Sequence, residues 1–387
     1  MRMFGDFENE IYFDGLRGVV PKLPVDMASL EKKAMAAWPD AIVSYVQGGC
    51  GNERTQNSNV TAFHRWGLIP RMMVDCSKRD LSIELFGMKL PSPIFMAPIG
   101  VLGICTQDGH GDLAVARAAA KTGVPMIAST LSSDPMEAVA PELGETPGFF
   151  QLYTPNDREI AASLVHRAEA AGFKAIVVTL DTWVAGWRPR DLNQANFPQL
   201  RGHCLANYFS DPVFRSRLSK PIEQDPPAAV KRWTEIFGAS ITWNDLPWLR
   251  SLTKLPLLLK GICHPDDARR AIDGGVDGIY CSTHGGRQAN GGIGCLDLLP
   301  GVVQAAGRTP VLFDSGIRSG TDIVTALALG ATAVGIGRPY SWGLALDGTN
   351  GVVHVIRCLL AEADLLMAID GYPTISDLKP SALMRVD

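Results

Sequence analysis

The stretch APIGVLGICTQDG, residues 97–109, decides the fold. It closes the first apolar run, PIFMAPIG (93–100), where an open doubly wound sheet would carry a glycine-rich dinucleotide fingerprint. Its glycines at 100, 103 and 109 make a poor match to that spacing. A closed barrel of parallel strands needs no such turn.

Working outward, seven more apolar runs bounded by Pro and Gly follow: PMIAST (125–130), GFFQLY (148–153), AIVVTLD (175–181), PLLLKGI (256–262), GIYCSTH (278–284), PVLFDSG (310–316) and AVGIGRP (333–339). Continuous rather than alternating hydrophobicity is the mark of strands buried on both faces. Helix signals lie between them. Asp134 offers an N-cap with Pro135 as first helical residue and Glu137 completing a capping box, and Thr154 with Pro155 opens a helix that Gly172 ends. Further helices close on Gly274 and Gly330. Eight strands alternating with helices predict an α/β chain, a (β/α)8 TIM barrel over residues 86–387. Residues 1–85, with a helix in SLEKKAMAAWPDAIVSYVQGG (29–49), predict an N-terminal extension capping it. Residues 190–250, polar, Pro-rich and irregular, predict a lid-like loop after strand 4.

Composition narrows the partners. The chain has 387 residues, 46% hydrophobic and 20% charged, with net charge −4, which argues against a nucleic-acid or anionic-membrane partner. The acidic start lacks a signal-peptide core and no apolar run reaches membrane-spanning length, so a soluble cytoplasmic protein is expected. Eight cysteines contain no CxxC pair; their spacing fits neither zinc nor redox motifs, and they read as small buried hydrophobes. DGHGD (108–112) reads as a helix start rather than a metal site, and GGCGNE (48–53) does not fit a phosphate loop.

Function in such barrels gathers at the C-terminal strand ends. Those ends carry Gly100, Ser129, Gln151 with Tyr153, Thr179 with Asp181, Lys260, His284, Asp314 and Arg338. Gly316 with Arg318 and Gly337 with Arg338 are the residue types that hold a phosphate after strands 7 and 8. Lys260 has three readings: a Schiff-base lysine, a fixed cation, or a salt bridge. His284, flanked by glycines and followed by Arg287, suits a proton acceptor that Asp181 orients. Arg188, Arg190 and Arg287 suit a carboxylate clamp.

FENEIY (7–12), LDTWVAGWRPRDL (180–192), DPVFRSR (211–217), GIYCSTHGGRQANGG (278–292), DSGIRSG (314–320), GIGRPY (335–340) and LLAEADLLMAIDGY (359–372) together carry a family resemblance. The chain resembles the FMN-dependent L-2-hydroxy acid oxidases, and more closely the L-lactate 2-monooxygenases. The resemblance implies His284 as the base supported by Asp181, with Arg188 and Arg287 on the substrate carboxylate and Tyr45 and Tyr153 near its oxygens. It implies Ser129, Gln151, Thr179 and Lys260 on the isoalloxazine ring, with Pro98 to Gly100 beside the ring. Arg318 and Arg338, with Asp314, Gly316 and Gly337 in the same loops, fall to the FMN phosphate. The implied reaction oxidises L-lactate to pyruvate, passes the electrons to O2, and lets the peroxide decarboxylate pyruvate in the site to acetate. A simple oxidase releasing pyruvate and peroxide, or a dehydrogenase using another acceptor, stays open. A homotetramer or larger assembly is implied as well. The sequence departs from the pattern at Thr283, where Asn is usual, at Gly100, where many simple oxidases have Ala, and at Leu131, where short-chain glycolate oxidases carry an aromatic residue.

Overall fold

Eight parallel strands close into one barrel in the computed structural model, which describes residues 3–386. They are β1 (Ile94–Met96), β2 (Met126–Ser129), β3 (Gly148–Leu152) and β4 (Ile176–Thr179), then β5 (Leu257–Lys260), β6 (Gly278–Cys281), β7 (Val311–Phe313) and β8 (Ala333–Ile336). Each pairs with its chain neighbours, and β8 closes the ring on β1 through Val334 and Ile94. Every apolar run became a strand. Each run also extends beyond its strand into the loop that follows, and there the chemistry sits.

Alternation along the strands explains where it points. Phe95, Ile127, Phe149, Val177, Leu258, Tyr280, Leu312 and Ala333, one from each strand, pack together inside the barrel. A hairpin, Ile83–Leu85 with Met88–Leu90, adds Leu85 and Leu90 to this cluster and floors it. Its Phe86 lies edge-on to Phe149 at 6.3 Å. Two residues beyond these interior positions come Ser129, Gln151, Thr179, Lys260, Ser282 and Asp314, which face the mouth for the same reason. The intervening residues, among them Met96, Ile176, Cys281 and Phe313, pack under the helices.

Several local expectations are corrected. The stretch 29–49 is not one helix: Met27–Ala37 and Asp40–Gln47 are separated at Pro39, which caps the second. Pro135 is the N-cap of Met136–Glu142, not its first residue, and Asp134 instead pairs with His110 at 2.7 Å. Asp157, not Thr154, caps the helix Arg158–Ala171, accepting from the backbone of Glu159 at 3.1 Å. Gly172 ends that helix at φ +100° as expected. The segment 190–250 is largely folded. It contains the helices Ala206–Phe209, Pro212–Ser216, Pro226–Ile236 and Leu246–Ser251, and buries Tyr208, Phe214 and Trp233. Among the described residues no helix is long and apolar enough to cross a membrane.

Candidate active site

The turn after β6 is unusual. His284, Gly285 and Gly286 take left-handed backbone conformations in succession, at φ +54°, +62° and +77°. For a side chain as large as His this is strained, by about 1–3 kcal/mol. The surroundings hold it: Ser282 Oγ accepts from His284 N at 3.0 Å, and Ser315 Oγ accepts from Gly285 N at 3.1 Å. Gly286 must be glycine, because a Cβ there would lie 2.4 Å from the Gln56 nitrogen.

This turn sets His284 Nδ1 2.7 Å from Asp181 Oδ1, an oxygen that also accepts from Thr182 Oγ1 at 3.1 Å. The carboxylate fixes the tautomer, leaving the Nε2 lone pair as the free acceptor of a ring that lines the cavity. Burial pushes the imidazole below its ordinary value; Asp181 opposes that and the nearby Lys260 adds to it. Burial works to raise Asp181, but the charges of His284 and Lys260 hold the carboxyl well below the usual range. The resting pair is therefore a neutral imidazole on an ionised carboxylate, which is a base ready to act. Lys260 Nζ stands 3.4 Å from His284 Nδ1 and 3.9 Å from Asp181 Oδ2, over the Tyr280 ring at 5.4 Å. Of its three readings, this geometry fits a fixed cation held by an ion pair.

Four arginines line the same cavity: Arg188, Arg287, Arg318 and Arg338. Arg287 donates to Gly48 O and lies over the Tyr45 ring at 5.0 Å. Arg188 Nε donates to Arg287 O at 3.0 Å, and its guanidinium also donates to Gln288. Asp191 is shared by both at 3.8 and 3.9 Å. Burial and the charge of Arg188 lower Arg287 to about 10. Burial lowers Arg318, and lowers Arg338 much further with repulsion from Arg287 and Arg318 added. Arg188 and Lys260 are buried and Arg287, Arg318 and Arg338 half-buried, with only Asp181 and Asp191 among the described residues paired to them, which is a poor arrangement for an empty cleft and a good one for anionic ligands. Arg338 is held from the N-terminal segment by Val46 O at 3.0 Å and Gln56 Oε1 at 2.6 Å. Beside these arginines, Gly316 takes φ +102°, and a Cβ on Gly337 would meet no atom within 4 Å. The open backbone at Gly337 with two half-buried guanidiniums fits a phosphate.

The remaining expected residues divide. Tyr45, Pro98, Gly100, Tyr153 and Asp314 line the cavity. Ser129, Gln151 and Thr179 form a buried row at the strand ends: Ser129 Oγ donates to Gln151 Oε1 at 3.0 Å, and Gln151 Nε2 donates to Thr179 Oγ1 at 2.9 Å. Asp314 accepts from Tyr280 Oη at 2.8 Å and Ser315 Oγ at 2.9 Å. Arg190 does not join the clamp, because it turns outward and pairs with Glu53 at 2.6 Å. Sequence reasoning missed Phe197, Gln199 and Phe237, which line the cavity from the segment after β4. It also missed Asn59, whose Oδ1 accepts from both Thr283 Oγ1 at 3.0 Å and Cys295 N at 2.8 Å. Thr283 thus ties the β6 turn to the helix Arg54–Thr61. GGCGNE, set aside as a phosphate loop, packs on the same turn, Cys50 N donating to Gly286 O at 2.9 Å.

An imidazole held on a carboxylate beside four arginines, at the C-terminal mouth of a TIM barrel, is the kind of site that enzymes acting on anionic ligands carry. The chain belongs to the FMN-dependent dehydrogenase family, whose model matches residues 34–385. It is similar to the FMN-dependent alpha-hydroxy acid dehydrogenase qulF of Penicillium citrinum, 41% identical over 99% of this chain and 96% of that protein. It is also similar to an L-lactate oxidase of Lysinibacillus sphaericus, 40% identical with 94% of each covered. Among solved structures, a soluble mutant of the membrane-associated (S)-mandelate dehydrogenase from Pseudomonas putida superposes with TM-score 0.84 at 36% identity, covering 93% of this chain and 99% of that one. The chain is an FMN-dependent enzyme that oxidises 2-hydroxy acids.

Proposed function

We propose that the substrate is a small L-2-hydroxy acid, foremost L-lactate, and that L-lactate and O2 leave the site as acetate, carbon dioxide and water. The observation that carries this reading is the His284–Asp181 pair, whose free Nε2 belongs to the cavity that Arg188 and Arg287 also line. Arg287 and Arg188 hold the carboxylate, while Tyr45 and Tyr153 bind the remaining substrate oxygens. Nε2 of His284 takes the substrate proton, and Asp181 stabilises the imidazolium so formed. FMN, when bound, accepts the two electrons. Ser129, Gln151, Thr179 and Lys260 would hold its ring, Lys260 favouring negative charge there, with Pro98 to Gly100 beside them, and Arg318, Arg338, Gly316 and Gly337 would hold its phosphate. Asp314 holds the β7 loop in place.

Retention of pyruvate decides whether peroxide decarboxylates it. Phe197 and Gln199, set over the cavity by the segment 190–250, support retention, as a lid that opens slowly would. The second reading is a simple oxidase releasing pyruvate and peroxide, which the Lysinibacillus relative favours by its name. Aerobic turnover of L-lactate with quantified acetate, pyruvate and peroxide separates them. Acetate as the main product supports the coupled reaction; equal pyruvate and peroxide overturns it and leaves the oxidase.

A further inference from the structure

Three cysteines spread over residues 263–295 meet near the turn that carries His284. Alternation turns Tyr280 into the barrel and Cys281 outward, to where Cys295 opens the helix Cys295–Ala306. Cys263, in the loop after β5, completes the group. All three sulfurs lie within 4.8 Å of one another, and Cys281 Sγ and Cys295 Sγ are 3.7 Å apart. Cys281 and Cys295 are buried, whereas Cys263 is only partly so. Cys263 Sγ donates to Ser282 O at 3.2 Å, and the adjacent Cys281 and Cys295 thiols work to lower its pKa against the effect of burial. A partly buried cysteine with two further thiols within reach of its sulfur is an arrangement that oxidation can convert to a disulfide.

The group is mechanically joined to the site. Cys281 precedes His284 by three residues in the chain. The backbone N–H of Cys295 shares Asn59 Oδ1 with Thr283 Oγ1. A sulfur that moves at either position therefore pulls on the turn that carries the base.

We infer that Cys263, Cys281 and Cys295 form an oxidisable thiol site, where hydrogen peroxide joins Cys263 to one of its two buried neighbours and slows the enzyme reversibly. The Cys263 thiolate attacks one peroxide oxygen; an S–O bond forms, the O–O bond breaks and hydroxide leaves. The neighbouring thiol then attacks the Cys263 sulfur, forming S–S and giving its proton to the sulfenic oxygen, which leaves as water; the hydroxide from the first step takes up the proton that Cys263 lost on ionising. Two thiols lose two electrons and one peroxide becomes two waters. A metal held by three thiolates is the competing use of this cluster. It would bury negative charge near Asp181 and Asp314, whereas a disulfide is neutral. The inference rests on the proposed function only for an internal source of peroxide, which would be the share that escapes decarboxylation or, in the simple-oxidase reading, all of it.

The test adds hydrogen peroxide to the resting holoenzyme, quenches with catalase, alkylates free thiols and digests with trypsin. The three cysteines fall in separate tryptic peptides, 261–269, 271–287 and 288–308, so pairing is read directly by mass. The expected result is a cross-link from 261–269 to either of the others, with substrate-driven flavin reduction slowed several-fold and restored by dithiothreitol. Cys263→Ser and Cys263→Ala, at a partly exposed position, should retain FMN, form no such cross-link and keep their rate in peroxide. All three cysteines alkylated, Cys263 over-oxidised with the others alkylated, or an equal rate loss in the Cys263 variants overturns the inference. Product analysis of untreated enzyme reads the proposed function separately, so either reading can fail alone.

Discussion

Two influences on the His284 charge work in opposite directions. Burial disfavours the imidazolium, and the Asp181 carboxylate at 2.7 Å favours it. Burial wins, so the acid limb of kcat/KM should lie below the ordinary histidine value of 6.5. Activity is present above that limb and lost as falling pH protonates Nε2; a limb centred above 6.5 in a pH series would contradict the assignment. Replacing His284 with Asn should slow flavin reduction by about 10²–10⁴-fold in rapid-mixing experiments while the protein stays yellow. Arg287→Lys removes a planar fork from the carboxylate, and loss of a charged hydrogen bond of about 1.5–3 kcal/mol should raise KM by roughly 10–100-fold with a smaller change in kcat. His284 and Asp181 were legible because each falls just beyond a visible strand. Arg190 was misread because spacing alone cannot say that the backbone turns it toward Glu53. Asn59 was illegible: its partners Thr283 and Cys295 lie more than two hundred residues away.

At the scale of elements, the strands were readable because both their faces are buried, which leaves no polar alternation to blur them. Helix starts were less so. Proline is favoured at the first helical position, yet the structure sets Pro135 one residue earlier, at the N-cap, with no side-chain cap. The helix Arg54–Thr61, RTQNSNVT, has one aliphatic residue and so no apolar period, yet it places Gln56 on Arg338 and Asn59 on Thr283. The segment 190–250 looked irregular because its helices are short; its anchors are single buried aromatics. Trp233→Ala should destabilise the protein by about 3–5 kcal/mol, seen as a lowered Tm. Phe197 lies edge-on to Tyr45 at 6.4 Å over the cavity. If the segment retains pyruvate, Phe197→Ala should shift products from acetate toward pyruvate and peroxide while flavin reduction persists. An unchanged product ratio would remove Phe197 from that role.

The whole molecule is a barrel whose site is finished from outside it. The strands supply the His284–Asp181 pair, Lys260 and the loops of Arg318 and Arg338, while residues 45–59 supply Tyr45, the carbonyls at 46 and 48 that hold Arg338 and Arg287, and Asn59. A chain lacking residues 1–62 should keep barrel circular dichroism but lose FMN on gel filtration; full retention of one flavin per chain would refute this dependence. That arrangement bears on how the enzyme fails with heat. The helix Arg54–Thr61 meets the His284 turn through one shared side-chain oxygen and through backbone set against Gly286, with little apolar burial of its own. Its opening should be a local event well below the global transition. Amides of 54–61 should then exchange with deuterium sooner than those of β1 to β8, and warming should silence catalysis reversibly before the barrel melts. The working temperature of this enzyme would be set by its cover, not by its core.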